Sequence, residues 1–183
     1  NALHDMVKLK STKAQDGEGI NLVAVNMSFN RTIQFNHYGT IKKLDDGTYS
    51  SSVITANKGS SNYWKIGTDN DIVLVNSAEF ALDPGIWATE VDSNGNLVLG
   101  GKMIIVGNWG GSKEDGQVVG SKSGHVCLNI VDNTCKDKYQ TKDFYILAPG
   151  NEVYSSVAGD GYIKMSGSSM SAPIVTGSMG ILH

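Results

Sequence analysis

Four short apolar runs, each ending in small or polar residues, set the pattern of the chain. They are INLVAVNMSFN (20–30), DIVLVNSAEF (71–80), KMIIVGNWGG (102–111) and DFYILAPG (143–150). Runs rich in Val and Ile with little alternation are typical of strands that are buried on both faces, as in a parallel sheet. Parallel strands need crossover connections, which are usually helical. The pattern predicts an α/β fold with a functional site at the carboxyl ends of its strands.

The segments between these runs predict helices and hairpins. Residues 1–15 are interpreted as the tail of a helix, and 50–67 is a weaker helix candidate. The final segment, SAPIVTGSMGILH, predicts a helix with Pro173 near its first turn, where proline is tolerated. Hairpins are predicted in 30–49, around DDG, and around Asn94-Gly95.

Composition limits the classes of function. The 183 residues fit one domain with a real core, and 40% hydrophobic with 18% charged residues is ordinary for a globular protein. A net charge of −3 without a basic stripe argues against a nucleic-acid partner. No apolar run has the roughly 18 residues needed to span a bilayer, so membrane attachment would need segments outside this sequence. The chain does not begin with Met, and Asn1-Ala2 is interpreted as a possible expression remnant.

No motif for a cofactor or a metal is found. The sequence contains neither a GxGxxG motif nor a phosphate-binding loop, so no cofactor is expected. The segment DSNGN (92–96) has oxygen-bearing side chains at alternating positions, as in a calcium loop. Met103 stands where the closing Glu would be expected, which favours a hairpin turn over a metal site.

The two cysteines, Cys127 and Cys135, lie close together in VCLNIVDNTC. A disulfide between them would close a short loop and imply an oxidising compartment. The alternative is a pair of free thiols in a cytosolic chain. The polar loop between them favours the disulfide, and His125 alone is too little for a zinc site.

The segment SGSSMSAPIVTG (166–177) places small residues immediately before the predicted last helix. A serine at this place either caps the helix or acts as a nucleophile. A nucleophile needs room for a substrate carbonyl and backbone N–H groups that face the developing oxyanion. Gly167 and the helix start after Ser169 can supply both.

This segment resembles the signature Gly-Thr-Ser-Met-Ala-x-Pro of the subtilisin-like serine proteases. The matching residues are Gly167, Ser169, Met170 and Pro173, while Ser168 stands for Thr and Ser171 for Ala. Further stretches resemble the family: VAVNMSFN its cleft strand, VGSKSG (119–124) its "FSNxAG" stretch, and ILAPG the strand before the nucleophile. The order of elements and the cysteine loop look most like the bacterial autotransporter-type branch.

The resemblance implies a subtilisin-like parallel sheet flanked by helices, with hairpin insertions, and a peptidase that works through an acyl-enzyme. By that resemblance Ser169 is the nucleophile. Met27, Ser28 and Phe29 would form an edge that pairs with an extended peptide or protein substrate. The resemblance also implies a secreted protein or one at the bacterial cell surface or periplasm.

The base and its orienting aspartate are missing from the sequence. None of His4, His37, His125 and His183 is followed by Gly-Thr, as the family's histidine is. In the family both catalytic residues precede the strand that resembles VAVNMSFN. We therefore expect 1–183 to be the C-terminal portion of a catalytic domain and to be inactive by itself.

The family's side-chain oxyanion donor, an Asn in "AAGN", also lacks a clear counterpart. Alignment places it at Ala78 or near Phe80, and Asn76 would need a local register shift. A second alignment makes Asn108 the donor, although IIVG fits better as the following strand, which in the family often reads "AVGA". Losing such a donor costs about 10²–10³ in rate. The alternative function is thus a degenerate scaffold with a role in binding or secretion.

Overall fold

The computed structural model describes residues 2–11, 20–28, 41–45, 49–51, 61–78, 83–109, 126–127 and 130–183. The helices are α1 (Ala2–Ser11), α2 (Ser61–Thr68), α3 (Asp83–Thr89) and α4 (Ser168–Leu182), with a 3₁₀ turn at Thr141–Phe144. The strands are β1 (Ala24–Met27), β2 (Ile41–Lys43), β3 (Tyr49–Ser51), β4 (Val73–Ser77), β5 (Met103–Trp109), β6 (Val126–Cys127), β7 (Ile130–Val131), β8 (Thr134–Cys135), β9 (Tyr145–Pro149), β10 (Val153–Val157) and β11 (Gly161–Met165).

The four apolar runs form one parallel sheet in the order β1-β4-β5-β9. Each strand pairs in parallel with its neighbour, so all four carboxyl ends lie at one edge. Helices cover both faces, because residues on the two sides of each strand are apolar and must be buried. The predicted α/β fold, with a parallel sheet flanked by helices, is confirmed.

Successive residues of each strand alternate between two cores. On one face, Leu74 and Ile105 pack with Trp87 of α3, and all three are buried. On the other face, Ala172 of α4 packs against Val75, Val106 and Ala148. A small residue in the helix lets α4 lie close to three strands at once, which fixes where the helix begins.

The hairpin predictions are confirmed within the described residues. β2 and β3 pair antiparallel, with Ile41 opposite Ser51. Around Asn94-Gly95, Val91 and Leu97 form an antiparallel bridge, and Gly95 has a φ of 78°, which favours glycine.

The helix predictions are confirmed in part. The helix expected in 1–15 is present as α1. The helix expected over 50–67 begins only at Ser61, and its predicted start is wrong because Tyr49–Ser51 is a strand that pairs with both β2 and β6. Tertiary pairing here outweighs the local serine-rich signal.

The last helix is longer at its start than the sequence suggested. It begins at Ser168, so Pro173 lies in its second turn, whereas the sequence analysis predicts a position near the first turn. Proline has no N–H, and the carbonyl that would receive that bond, four residues earlier, belongs to Ser169. Pro173 is exposed, so its ring faces solvent while Ala172 beside it faces the sheet.

Replacing the fully buried Ile105 by alanine should lower the free energy of unfolding by about 2–5 kcal/mol, because it leaves a cavity in the centre of the sheet. Ile163→Ala is the matched control: its side chain is 46% exposed and should cost under about 1 kcal/mol. Urea unfolding followed by circular dichroism measures both. Equal losses for the two variants would contradict the described core.

Candidate active site

The carboxyl edge of the sheet is where the segment before α4 lies. β9 ends at Pro149, and the next residue, Gly150, accepts a hydrogen bond at its carbonyl oxygen from the N–H of Gly167 (2.8 Å). Gly167 immediately precedes α4. The hydrogen bond therefore joins the end of one strand to the start of the helix that carries Ser169.

Gly167 has a backbone conformation that other residues rarely adopt. Its φ is 147°, so a side chain there would strain the turn. Its carbonyl oxygen accepts hydrogen bonds from the N–H groups of Met170 (3.0 Å) and Ser171 (3.3 Å). These bonds close the first turn of the helix around Ser169, and the positive φ of Gly167 is the reason for glycine at this position.

Ser169 is the second residue of α4 and is partly exposed. The first N–H groups of a helix carry the positive end of its dipole, and those of Ser168 and Ser169 have no carbonyl four residues earlier in α4 to bond with. A hydroxyl at this position thus lies beside hydrogen-bond donors that favour negative charge. The arrangement is chemically suited to attack on a carbonyl with the developing oxyanion held at the helix start.

The described histidines lie away from Ser169. His183 follows the other end of α4, about 20 Å along the helix, where its Nδ1 is 3.1 Å from Nδ2 of Asn21. His4 is exposed on α1, whose Leu3 packs into the core on the sheet face opposite α4. His37 and His125 lie outside the described residues. Thus neither described histidine is placed to act as a base for Ser169.

The two candidate oxyanion donors lie on opposite faces of the sheet. Alternation along β4 puts Asn76 on the side of Leu74 and Ala78, away from α4. Asn108, near the end of β5, lies two residues after Val106 and therefore on the α4 side. Both side chains are fully buried, and Oδ1 and Nδ2 of Asn76 have no hydrogen-bond partner among the described residues.

The predicted substrate edge is described only in part. Met27 ends β1 and is buried, and it is the register partner of Asn76. The Oγ of Ser28 donates a hydrogen bond to Oδ1 of Asn26 (2.9 Å). Phe29 lies outside the described residues. β1 stands at the outer edge of the four-stranded sheet, where a further strand could pair.

The structure adds a buried polar layer that the sequence reasoning missed. It lies on the α4 face, one step beyond the apolar contacts of Ala172 toward the carboxyl edge. Its members are Ser77, Asn108, Gly150 and Ser168, all buried. Their spacing was the available signal: each strand residue follows a core position by two, and Ser168 precedes Ala172 by one helical turn.

The members of this layer are tightly packed. A Cβ on Gly150 would meet Oγ of Ser171, with the Gly167 carbonyl oxygen at 2.5 Å and Oδ1 of Asn108 at 2.8 Å. The hydroxyls of Ser77 and Ser168 have no hydrogen-bond partner in the part of the chain that the structure describes. A buried hydroxyl without a partner costs about 1–3 kcal/mol.

The DSNGN segment forms a turn, as predicted. Oδ1 of Asp92 accepts hydrogen bonds from the backbone N–H groups of Asn94 (2.8 Å) and Asn96 (2.9 Å). The bond from Asn96 is the main reason that the pKa of Asp92 lies below its ordinary value. These hydrogen bonds hold the turn in place.

Replacing Gly150 by alanine should lower the free energy of unfolding by about 1–3 kcal/mol, because the new methyl group would clash with Gly167 and its neighbours. Gly177→Ala is the matched control. It lies within α4 with no described atom within 4 Å of the added Cβ, so it should be neutral or stabilise by up to about 1 kcal/mol. Thermal unfolding of both variants is the measurement, and a neutral Gly150→Ala would contradict this packing.

Comparison with known proteins adds independent findings. The family model of the subtilase family (peptidase S8) matches residues 21–183. C5a peptidase of Streptococcus pyogenes is 60% identical over 38 residues, which are 21% of this chain and 3% of that protein.

Solved protease structures resemble the chain at low identity. The prenylagaramide maturation protease PagA is 16% identical with a TM-score of 0.41, over 96% of this chain and 47% of that one. The patellamide maturation protease PatA is 18% identical with a TM-score of 0.43, over 98% of this chain and 49% of that one. The chain thus spans about half the length of these two proteases. Because the family model covers residues 21–183, this chain belongs to the subtilase family of peptidases.

Proposed function

We propose that the protein is a serine endopeptidase in which Ser169 is the nucleophile. The observation that carries the proposal is the position of this serine. It lies two residues after Gly167, at the start of α4, partly exposed, at the carboxyl edge of a parallel sheet. Membership of the subtilase family supports peptide-bond hydrolysis as the reaction.

The reaction has two steps. Oγ of Ser169 attacks the carbonyl carbon of the peptide bond while a base takes its proton, and the carbonyl oxygen becomes an oxyanion. The N–H groups of Ser168 and Ser169, at the start of α4, hold that charge. The proton then passes to the leaving amine, which departs and leaves an acyl-enzyme. Water, deprotonated by the same base, releases the acid.

We further propose that the base and its orienting aspartate come from segments outside residues 1–183. The distant position of His183 and the exposed position of His4 support this. A serine hydroxyl without a base is a weak nucleophile. The chain by itself would then be inactive, whereas the full protein would cleave peptide or protein substrates that pair with the Met27–Phe29 edge.

A location outside the cytoplasm is part of the proposal. Cys135 is disulfide-bonded, and disulfides persist mainly in oxidising compartments. We propose Cys127 as its partner, since the chain has two cysteines. Among the described residues, no helix has the length and apolar character needed to cross a bilayer. Secretion and the likeness to autotransporter-type proteases belong to this proposal as well.

The second candidate function is a scaffold that no longer cleaves. Its support is the full burial of Asn76 and Asn108, since a side-chain oxyanion donor must reach the substrate carbonyl. Ala78, one of the two aligned donor positions, has no donor group, and Phe80, near the other, lies outside the described residues. Such a protein would keep the fold and use it for binding or secretion.

A fluorophosphonate probe separates the two functions, because it reacts only with an activated serine. The full-length protein should be labelled at Ser169, and Ser169→Ala should abolish labelling. Ser178→Ala is the matched control, since Ser178 lies exposed on the same helix, and it should be labelled like the wild type. Mass spectrometry of the labelled peptide is the measurement.

Two results would contradict the proposal. If the full-length protein resists the probe while it is folded, the scaffold function is favoured. If residues 1–183 alone are labelled at Ser169, the base lies within this chain and the proposed origin of the triad is wrong.

Reduction of a Cys127–Cys135 disulfide should lower the free energy of unfolding by about 2–3 kcal/mol, because the closed loop is short. Urea unfolding with and without dithiothreitol measures this change. The Cys127→Ser/Cys135→Ser variant is the control and should not respond to the reductant. Alkylation of both thiols in the untreated native protein would show that the pairing is wrong.

A further inference from the structure

Two hydrogen bonds tie α4 to the end of β9, one on each side of Ser169 in the sequence. Two residues before it, the N–H of Gly167 donates to the Gly150 carbonyl oxygen (2.8 Å). Two residues after it, Oγ of Ser171 donates to the Ala148 carbonyl oxygen (2.9 Å). Ser169 is therefore the middle residue of a short segment that is anchored at both ends to one strand.

The side chain of Asn108 also lies beside Gly150. Its Oδ1 lies 2.8 Å from the point where a Cβ would stand on Gly150, and Oγ of Ser171 lies beside the same point. The two side chains therefore share one small volume above Gly150. Both are fully buried, so each restricts the position of the other and of the helix start.

The two residues come from different elements, α4 and β5, and meet at the same glycine. In a closely packed interior, a change at one of two neighbouring side chains alters the space that the other can occupy. Their meeting point is two residues from the proposed nucleophile.

We propose that Ser171 and Asn108 are a coupled pair of positioning residues that fix Ser169 against the end of β9. The proposal rests on the function proposed above, because it requires Ser169 to be the nucleophile. Neither side chain touches the substrate: they act through Gly150 and Gly167. Loss of either loosens the segment that carries Ser169, and loss of both leaves two small residues that can pack without a mismatch.

The test is a double-mutant cycle in the full-length protein with Ser171→Ala, Asn108→Ala and the combination. Saturation kinetics with a fluorophosphonate probe separate the maximal labelling rate from the probe concentration at half-saturation. Each single variant should lower the maximal rate about tenfold and change half-saturation less than about twofold, because the nucleophile is displaced while the binding edge is intact. The double variant should lose no more than the worse single variant.

Ser178→Ala is the matched control. Its hydroxyl donates to the Ile174 carbonyl oxygen (2.9 Å), a bond of the same kind on the exposed side of the same helix. It should leave the labelling rate unchanged. All variants are compared at a temperature at which circular dichroism shows each to be fully folded, so that a lower rate does not reflect unfolded protein.

Three outcomes overturn the inference. Single variants that label like the wild type show that the pair does not position Ser169. Losses that simply add in the double variant show that the two residues are not coupled. If the wild-type protein is not labelled at Ser169, the proposed function fails and the inference fails with it. Comparison of the wild type with Ser169→Ala identifies this case separately. If a single variant is unfolded, the double variant decides the outcome. A double variant that is folded and labelled supports the coupled pair, and one that is unfolded overturns it.

Discussion

The close packing of α4 on the parallel sheet is the contact on which the site depends. Ala172 has only a methyl group, so the helix approaches Val75, Val106 and Ala148 together. Because these residues belong to three neighbouring strands, the helix axis has little freedom to shift. The helix begins one turn before Ala172, so this packing also sets the position of Ser169. The apolar core thus sets the geometry of a polar site that lies just beyond it.

The sequence was informative where burial alone determines structure. The parallel sheet could be predicted because runs such as those ending at Ser77 and Pro149 are apolar on both faces, and only a two-sided sheet buries them. Ser169 could be singled out because glycine and small residues surround it in a recognisable motif. The start of α2 could not be predicted, since pairing of Tyr49–Ser51 with two other strands is a long-range effect.

The buried polar layer shows a different limit of sequence reasoning. Ser77 and Ser168 look like ordinary surface or capping serines, because nothing local marks them as buried. Only the strand register and the position of α4 bring the two residues into the same buried layer. The same holds for Asn108 and Ser171, whose meeting point at Gly150 depends on three elements that are far apart in the chain.

The placement of the two asparagines bears on how an oxyanion could be held. An Asn on the side of the sheet away from α4, as Asn76 is, cannot point to the start of that helix without crossing the strand. Asn108 is on the α4 face, fully buried, with its Oδ1 beside Gly150. The N–H groups of Ser168 and Ser169 lie at the start of the helix, beside the proposed nucleophile. If Ser169 acts as proposed, the position of the helix start, and the residues that anchor it to the end of β9, set where these donors would hold an oxyanion.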